Sequence, residues 1–417
     1  MQHNVTIIGA GIVGICCALS LQDRGFAVQL IDPAEPGQET SFGNAGVISP
    51  WSIIPQAVPG IWKSIPGMLL GRNRPLRVHP AAWPKMIPWG MRFLAASSET
   101  KTRQTADTME QLCQPSIALF QKHLAGTGHE DLITPSWYIH AFRQADNASL
   151  SDLGYAIRRQ KGADIALIGP SDLRRLEPAL SPRFQAAVVI KGQARARAPG
   201  DLARALCDKA QRQGARILRT KVTGLAQTDG GWAIATPLGV QQSAQVVLAA
   251  GVWSAELLRP LGLAPPLMAE RGYHVEFPHA AAQLNNSIMD VDAKIVASSM
   301  LAGLRVAGGA EFAPIDAPAN PRRQALLAQQ ARDMFPDLGS STPRFWMGRR
   351  PSLPDSLPAL GEYSGHKGLF AAFGHSHYGL MMAPKSGELI ADLLNGAHPN
   401  TDLAALNPRR FDRSFGP

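Results

Sequence analysis

Cysteine is scarce: the 417 residues hold only four, and two of them, Cys16 and Cys17, are adjacent in an apolar run. That leaves neither a disulfide framework nor a CxxC metal spacing, and it points to a reducing compartment with buried thiols. There is no internal repeat, low-complexity tract or nucleic-acid module. The 41 lysines and arginines exceed the 32 acids, for a net charge of +9, but they are scattered rather than gathered with aromatics, so nucleic acid is the least favoured anionic partner. No Lys or Arg precedes the apolar run 5–21, which reads as neither an export signal nor a membrane span. One absence is local. Residues 51–96 contain no Asp or Glu, while Lys63, Arg72, Arg74, Arg77, Lys85 and Arg92 stand among Trp62, Trp83 and Trp89. Such a stretch suits either a membrane interface or a pair of cap helices folded onto the protein with surface arginines.

What is present begins with "VTIIGAGIVGICCALSLQDRGFAVQLID". The pattern predicts a strand over 5–8, a glycine turn, a helix over 12–23 stopped by Gly25, and a strand over 27–31. The turn is GxGxxG. Gly9 permits the tight turn, Gly11 lets a pyrophosphate approach the backbone, Gly14 packs the helix on the strand, and Asp32 is placed to bind a ribose hydroxyl. Both NAD and FAD use such a site. An NAD enzyme would continue with further strand–helix units, whereas this chain turns at once into "EPGQETSFGNAGVISP", a loop that does not continue a sheet. Its small residues, Ser41, Gly43, Asn44, Ala45 and Gly46, suit a backbone that approaches a flat ring.

At 417 residues two domains are expected. The middle of the chain predicts a helix over 201–213, strands over 216–225, 232–236 and 244–249, and small residues Ala250 and Gly251 after the last, again suited to close approach by a nucleotide. The fold class read from this pattern is α/β: a Rossmann-like FAD-binding domain, discontinuous over 1–50, 172–264 and 342–417, with an interleaved α+β substrate-binding domain over 51–171 and 265–341. Residues 51–96 are the candidate membrane-facing segment of the latter.

The motifs GAGIVG with Asp32, ETSFGNAG, KVTGL, AAGVWS, RGYHVEFP, GRRPSLPDSLPALG and GHSHYGL occur in this order over nearly the whole chain. Together they resemble the glycine oxidase and D-amino-acid oxidase superfamily of FAD enzymes, and within it the bacterial D-amino-acid dehydrogenases. The resemblance implies non-covalent FAD, with Val222, Ala250 and Gly251 beside it. It also implies a Gly-x-Arg-Pro arginine, here Arg350 with Gly348 and Pro351, holding an amino-acid carboxylate next to the flavin. A guanidinium suits that task through paired N–H to O bonds. Tyr273 of RGYHVEFP falls where the family sets a tyrosine near the substrate; a buried structural tyrosine is the alternative, and Arg271 and His274 are weaker candidates.

The implied activity is oxidative deamination of a D-amino acid to a 2-oxo acid and ammonia, by hydride transfer from Cα to flavin N5 with electrons passed to a quinone or another acceptor. Rivals are oxidation of a secondary amine acid (D-proline, a hydroxyproline, sarcosine or an opine) and a flavin subunit whose activity depends on a partner. The implied location is cytoplasmic, or peripheral on the inner face of the membrane.

"FGHSHYGLMMAPKSG" places His375 and His377 in a glycine-bounded turn. No Cys, His or acidic cluster accompanies them at metal spacing, which disfavours a metal site. The stretch predicts a strand over 369–373, a turn, and a helix from Gly379 toward Leu394, with Pro384 tolerated only in a first turn or at a kink. The resemblance makes this turn a flavin cradle, with Gly374 and Gly379 for close approach, Gly379, Leu380 and Met381 as backbone donors, and His375 as a cofactor contact. His377 and Tyr378 depart from the family pattern and are expected to shape the substrate pocket.

Overall fold

The structure, a computed structural model, describes residues 4–71, 75–339, 341–397, 399 and 401–412; Arg72 and Arg74 of the basic segment lie outside the described residues. The glycine-rich start folds as its pattern dictates. Strand Asn4–Ile8 leads into helix Ile12–Gln22 and strand Ala27–Ile31, and the two strands pair in parallel from Asn4 opposite Ala27 to Ile8 opposite Ile31. On the other side of Asn4–Ile8 lies Gln245–Leu248, also parallel, followed by Leu369–Phe373. Ala359–Glu362 closes one edge antiparallel, and Arg216–Leu218 closes the other. This six-stranded sheet is built from pieces more than 300 residues apart in sequence. Strands such as VTII and QVVL are buried on both faces: Val5, Ile7 and Val247 pack on the helices, and Ile8, Val246 and Leu248 pack on Leu225, Trp232 and Ile234 of a smaller sheet. Cys16 and Cys17 are fully buried on helix Ile12–Gln22, and all four cysteines are free thiols.

The strand predicted over 216–225 is split. Arg216–Leu218 ends the parallel sheet, and Gly224–Thr228 starts a separate three-stranded antiparallel sheet with Gly231–Thr236 and Gly239–Ser243. The chain between them leaves both ladders, which frees Lys221 and Val222 to line the central cavity.

A ten-stranded mixed sheet forms the other half of the molecule. Its central path runs Arg344–Ser352, Met268–Phe277, Gly303–Phe312, Ile295–Met300, Ser287–Asp290, Ile133–Phe142, Ala186–Ala196 and Val47–Ile48. Three of these strands fall in ranges expected to belong to the nucleotide-binding part: Val47–Ile48, Ala186–Ala196 and Arg344–Ser352. The boundaries 50, 172 and 342 therefore do not follow the sheets. Arg344–Ser352 pairs antiparallel with Met268–Phe277, so "GRRP" is a strand of the large sheet and not an extension of the smaller one.

Helix Gly379–Leu394 returns to pack on helix Ile12–Gln22 and buries its Leu389, Ile390 and Ala391. Pro384 sits in its second turn, where it removes the amide that would otherwise bond the Leu380 carbonyl. Within the basic segment, two short helices, Ile61–Leu70 and Trp83–Ala95, roof the cavity between the sheets. No helix among the described residues is long and apolar enough to cross a membrane.

Candidate active site

A cavity of about 1210 Å³ runs from the Gly9–Gly11 turn to the face of the large sheet. Its nucleotide end is built by the first turn of helix Ile12–Gln22. Gly9 has φ +109°, and a Cβ there would overlap the Ala249 carbonyl, so only glycine serves. Asp32 accepts from the Ala10 N–H (2.7 Å) and the Ala34 N–H (2.8 Å), and its carboxyl faces the same end of the cavity. Burial raises its pKa, against the lowering effect of those two amides and of Arg219. Ser41 Oγ accepts from the Ile12 N–H at 3.0 Å, which sets a hydroxyl at the positive end of the helix. Gly11, Val222, Ala250 and Gly251 also line this end. Gly14 does not line it, but lies against the Gly9 carbonyl and brings helix and strand together.

The loop of Ser41, Asn44, Ala45 and Gly46 is fixed from beneath. Arg305 donates from Nη1 to the carbonyls of Phe42 (2.8 Å) and Asn44 (3.0 Å), and is itself held by buried Glu276 through Nε (3.1 Å) and Nη2 (2.9 Å). His274 Nδ1 lies 3.2 Å from the Gly43 carbonyl, and its ring stacks on Trp346 at 5.1 Å. Asn44 Oδ1 accepts from the Gly46 N–H (2.8 Å), and Gly46 takes φ +78°. Ala45 lines the cavity. A backbone held this rigidly, with no side chain larger than methyl at Ala45 and Gly46, suits a flat ring.

Across the cavity stands the turn at 374–381. Gly379, Leu380 and Met381, the first residues of helix Gly379–Leu394, line it. His375 also lines it; its imidazole is buried, with Nε2 2.9 Å from Ser386 Oγ, and burial lowers its pKa to about 3. Gly374, at φ +86°, shapes the turn behind the wall.

The far wall carries charge. Arg350 lies in the cavity with its guanidinium over Gly272, in space that a Cβ at Gly272 would occupy. Its Nη1 donates to the Gly309 carbonyl (2.9 Å) and to Glu270 Oε1 (3.1 Å). Glu270 is the hub: Ser352 Oγ donates to its Oε2 (2.7 Å), and His377 Nε2 sits 3.0 Å from its Oε1. Burial alone would raise this carboxyl; the charge and hydrogen bond of His377, the Arg350 guanidinium and the Ser352 hydroxyl outweigh it and hold the pKa at about 2. His377 Nδ1 meets the Gln56 side-chain amide, and the Tyr378 hydroxyl donates to the Ile54 carbonyl (2.8 Å). His377 and Tyr378 thus both brace the 54–56 loop against the chamber.

Tyr273 is placed otherwise than the sequence suggested. It is among the lining residues, but its hydroxyl donates to Glu311 and accepts from the Asn320 N–H (3.1 Å), within an apolar cluster with Val275, Phe277 and Leu327. Arg271 reaches the same Glu311 (3.6 Å). The same strand also presents Glu270 and Gly272 to the cavity, while His274 and, through Arg305, Glu276 hold the 42–44 loop. Sequence reasoning missed Glu270 and the Arg305–Glu276 pair. Two acids six residues apart, and so on one face of a strand, were the available signal, since buried acids demand partners.

Among the described residues no group of three or more His, Cys, Asp or Glu side chains could hold a metal ion. The features fit a long dinucleotide with a flat ring: a helix N-terminus and Asp32 at one end, a pinned glycine-rich loop in the middle, and a guanidinium beyond.

Comparison with known proteins agrees. A family model described as FAD dependent oxidoreductase (DAO) matches residues 4–393. A D-amino-acid oxidase of Bradyrhizobium diazoefficiens is 37% identical, covering 98% of this chain and 99% of that protein. A D-amino acid dehydrogenase of Xanthobacter autotrophicus is 32% identical over 98% of this chain and 99% of its own length. In fold, the glycine oxidase of Geobacillus kaustophilus superposes with a TM-score of 0.75 over 100% of both chains at 22% identity. The chain belongs to the DAO family of FAD-dependent oxidoreductases, and FAD is the dinucleotide its cavity takes.

Proposed function

We propose that the chain oxidises D-amino acids to 2-oxo acids and ammonia. The observation that carries this reading is the Arg350 guanidinium, fixed inside the cavity by Glu270 and Gly309 through Nη1 alone, with Nη2 making no hydrogen bond among the described residues. A carboxylate placed there receives charge-assisted N–H bonds from a group whose own position is already set. Bound FAD supplies the hydride acceptor for the substrate's Cα–H. The protein's part is orientation: Arg350 fixes one end of the substrate, and the loop pinned by Arg305 fixes the plane it must meet. No obligatory base is required if the amine enters neutral, and water then hydrolyses the imino acid. In this reading the six-stranded sheet holds the cofactor, the large sheet faces the substrate, and Tyr273 is structural. Tyr378 and His377 shape the chamber.

Anaerobic bleaching of the holoenzyme by a panel of D-amino acids, L-amino acids and secondary amine acids tests the reading. Primary D-amino acids should bleach the flavin. Bleaching by secondary amine acids alone would replace this reading with the rival.

For the electron acceptor we propose a membrane quinone, reached by peripheral attachment. The support is the roof of the cavity: Trp62, Leu70, Ile87 and Met91 are 57–79% exposed on two helices that carry no acid and also line the entrance. The oxidase among the relatives favours oxygen instead. Peroxide formed at the rate of substrate turnover in aerated buffer would overturn the quinone.

A further inference from the structure

Beyond Arg350 the cavity floor continues across the large sheet. The cross-strand pairs His274–Ala307, Ala307–Val296, Val296–Met289 and Met289–His140 carry one face of the sheet from the Arg350 side to strand Ile133–Phe142. Ala307, Val296, Met289 and His140 all line the cavity, and Lys294, Arg158 and Tyr138 line it at the same far end.

Three features of this end are unused by the proposed reaction. First, His140 is 7% exposed, bonds Tyr155 through Nδ1 (2.8 Å), and leaves Nε2 buried without a partner. A buried ring nitrogen without a partner costs free energy unless a ligand supplies one.

Second, neither cation at this end is held in an ion pair, although the charges of Asp292 and Asp290 act on Lys294. Arg158 spends Nε on the Trp51 carbonyl (2.8 Å) and Nη1 on the Gly154 carbonyl (3.2 Å), and neither it nor Lys294 forms an ion pair among the described residues. The acids nearest Lys294 in sequence are taken: Asp290 pairs with Arg143 at 2.6 Å, and Asp292 accepts from the Arg143 N–H at 3.1 Å. Glu270, the acid of the opposite wall, is satisfied by Arg350, Ser352 and His377.

Third, Lys294 adopts φ +57° in the turn that joins Ser287–Asp290 to Ile295–Met300. Turns of this kind favour Gly or Asn, and a lysine held there is strained. Strain of this sort is retained where the side chain has a use.

We propose that the substrate is a dicarboxylic amino acid, whose side-chain carboxylate is received by Lys294, Arg158 and His140 while its α-carboxylate sits on Arg350. The proposal rests on the amino-acid oxidation reading and names its substrate class. The side-chain carboxylate brings one negative charge to an end of the cavity that holds two cationic side chains, whereas a neutral side chain brings none. Lys294 acts here as a specificity residue and takes no part in the hydride step.

Two measurements on the FAD-loaded enzyme test it. The first is titration of the flavin absorbance with glutarate and with butyrate, neither of which has an oxidisable amine. The second is anaerobic bleaching by D-glutamate and by its neutral isostere D-glutamine. Glutarate should bind about tenfold tighter than butyrate, and D-glutamate should show a kcat/KM about tenfold above D-glutamine, mostly in KM. In Lys294→Asn, which keeps a residue at ease in the left-handed turn, both preferences should vanish while butyrate affinity and the flavin spectrum stay unchanged. Lys294→Gly serves as the second variant if the first is poorly folded. Equal binding of glutarate and butyrate, or a preference that survives in either variant, overturns the proposal. If neutral D-amino acids bleach the flavin as fast as D-glutamate, the dicarboxylate inference falls and the oxidation reading stands. If no amino acid bleaches it, both fall.

Discussion

The guanidinium of Arg350 rests over the bare Cα of Gly272, one strand away in the large sheet. A methyl at Gly272 would overlap Nη1, Nη2 and Cζ together, so the glycine is what admits the guanidinium to its seat. Gly272→Ala should therefore displace Arg350 without touching the nucleotide end. The expected result is an amino-acid KM raised by about 100-fold with the bound-FAD spectrum intact, in line with the cost of misplacing an anchoring group. Steady-state dye reduction reads the first quantity and absorbance the second; an unchanged KM would remove Arg350 from the substrate's path.

Glu270 stabilises the fold as well as the anchor. It is 2% exposed and meets Arg350, His377 and Ser352 at once. Glu270→Ala leaves a buried guanidinium uncompensated, which typically costs about 3–5 kcal/mol. Arg350 is 18% exposed at its side chain, so the lower end is expected. Urea denaturation of the holoenzyme checks this, and a loss below about 1 kcal/mol would show the pair to be as weak as a surface ion pair.

How much of this was legible in the residues depends on the range of the interaction. GAGIVG announced its turn because strand, turn and helix are contiguous, and local periodicity decides them. Arg350 was singled out by the family resemblance of its Gly-x-Arg-Pro pattern, and it lines the cavity. Its partner Glu270 was not, because 80 residues separate them and only strand pairing brings them together. Tyr273 misled for a related reason. The strand's bulge between Arg271 and Tyr273 puts both residues on Glu311, and nothing in RGYHVEFP marks which face will be wet. His375, expected to contact the cofactor, lines the cavity, and Ser386, about two helix turns beyond Gly379, meets its Nε2, a pairing that the local pattern does not announce.

Acid should destabilise the protein well above the carboxylate range. Burial lowers His140, His274 and His375 to about 3, each with that as the leading cause, and His123 to about 4. In the unfolded chain they titrate near about 6.5. Above that pH both states hold the rings neutral and the full stability is present; below it the unfolded chain binds protons that the fold rejects, so stability falls with pH. One such histidine contributes a loss of about 1 kcal/mol between pH 6.5 and 5.5. Denaturation curves at the two pH values should show a loss smaller by that amount in His375→Gln than in the parent. An identical loss would mean that His375 is already protonated in the native state. Glu270, held at about 2, adds a further loss of the same sign only below its unfolded value.

The roof helices make the last prediction. On Ile61–Leu70 and Trp83–Ala95 the exposed residues Trp62, Leu70, Trp83, Ile87 and Met91 form an apolar surface, and Lys63, Lys85 and Arg92 lie among them with no acid in 51–96. Burying such side chains is worth about 1.5–3 kcal/mol each when complete, and a basic residue near an anionic surface adds about 1 kcal/mol. The chain should co-sediment with vesicles containing phosphatidylglycerol and much less with pure phosphatidylcholine. Replacing Trp62 and Leu70 by serine should weaken binding to the anionic vesicles by more than tenfold, while dye-linked turnover stays within about twofold, because neither residue lines the cavity. Equal sedimentation with both lipids would reduce the attachment to its apolar part. Failure to bind either would leave the exposed helices without a membrane and return the acceptor to oxygen.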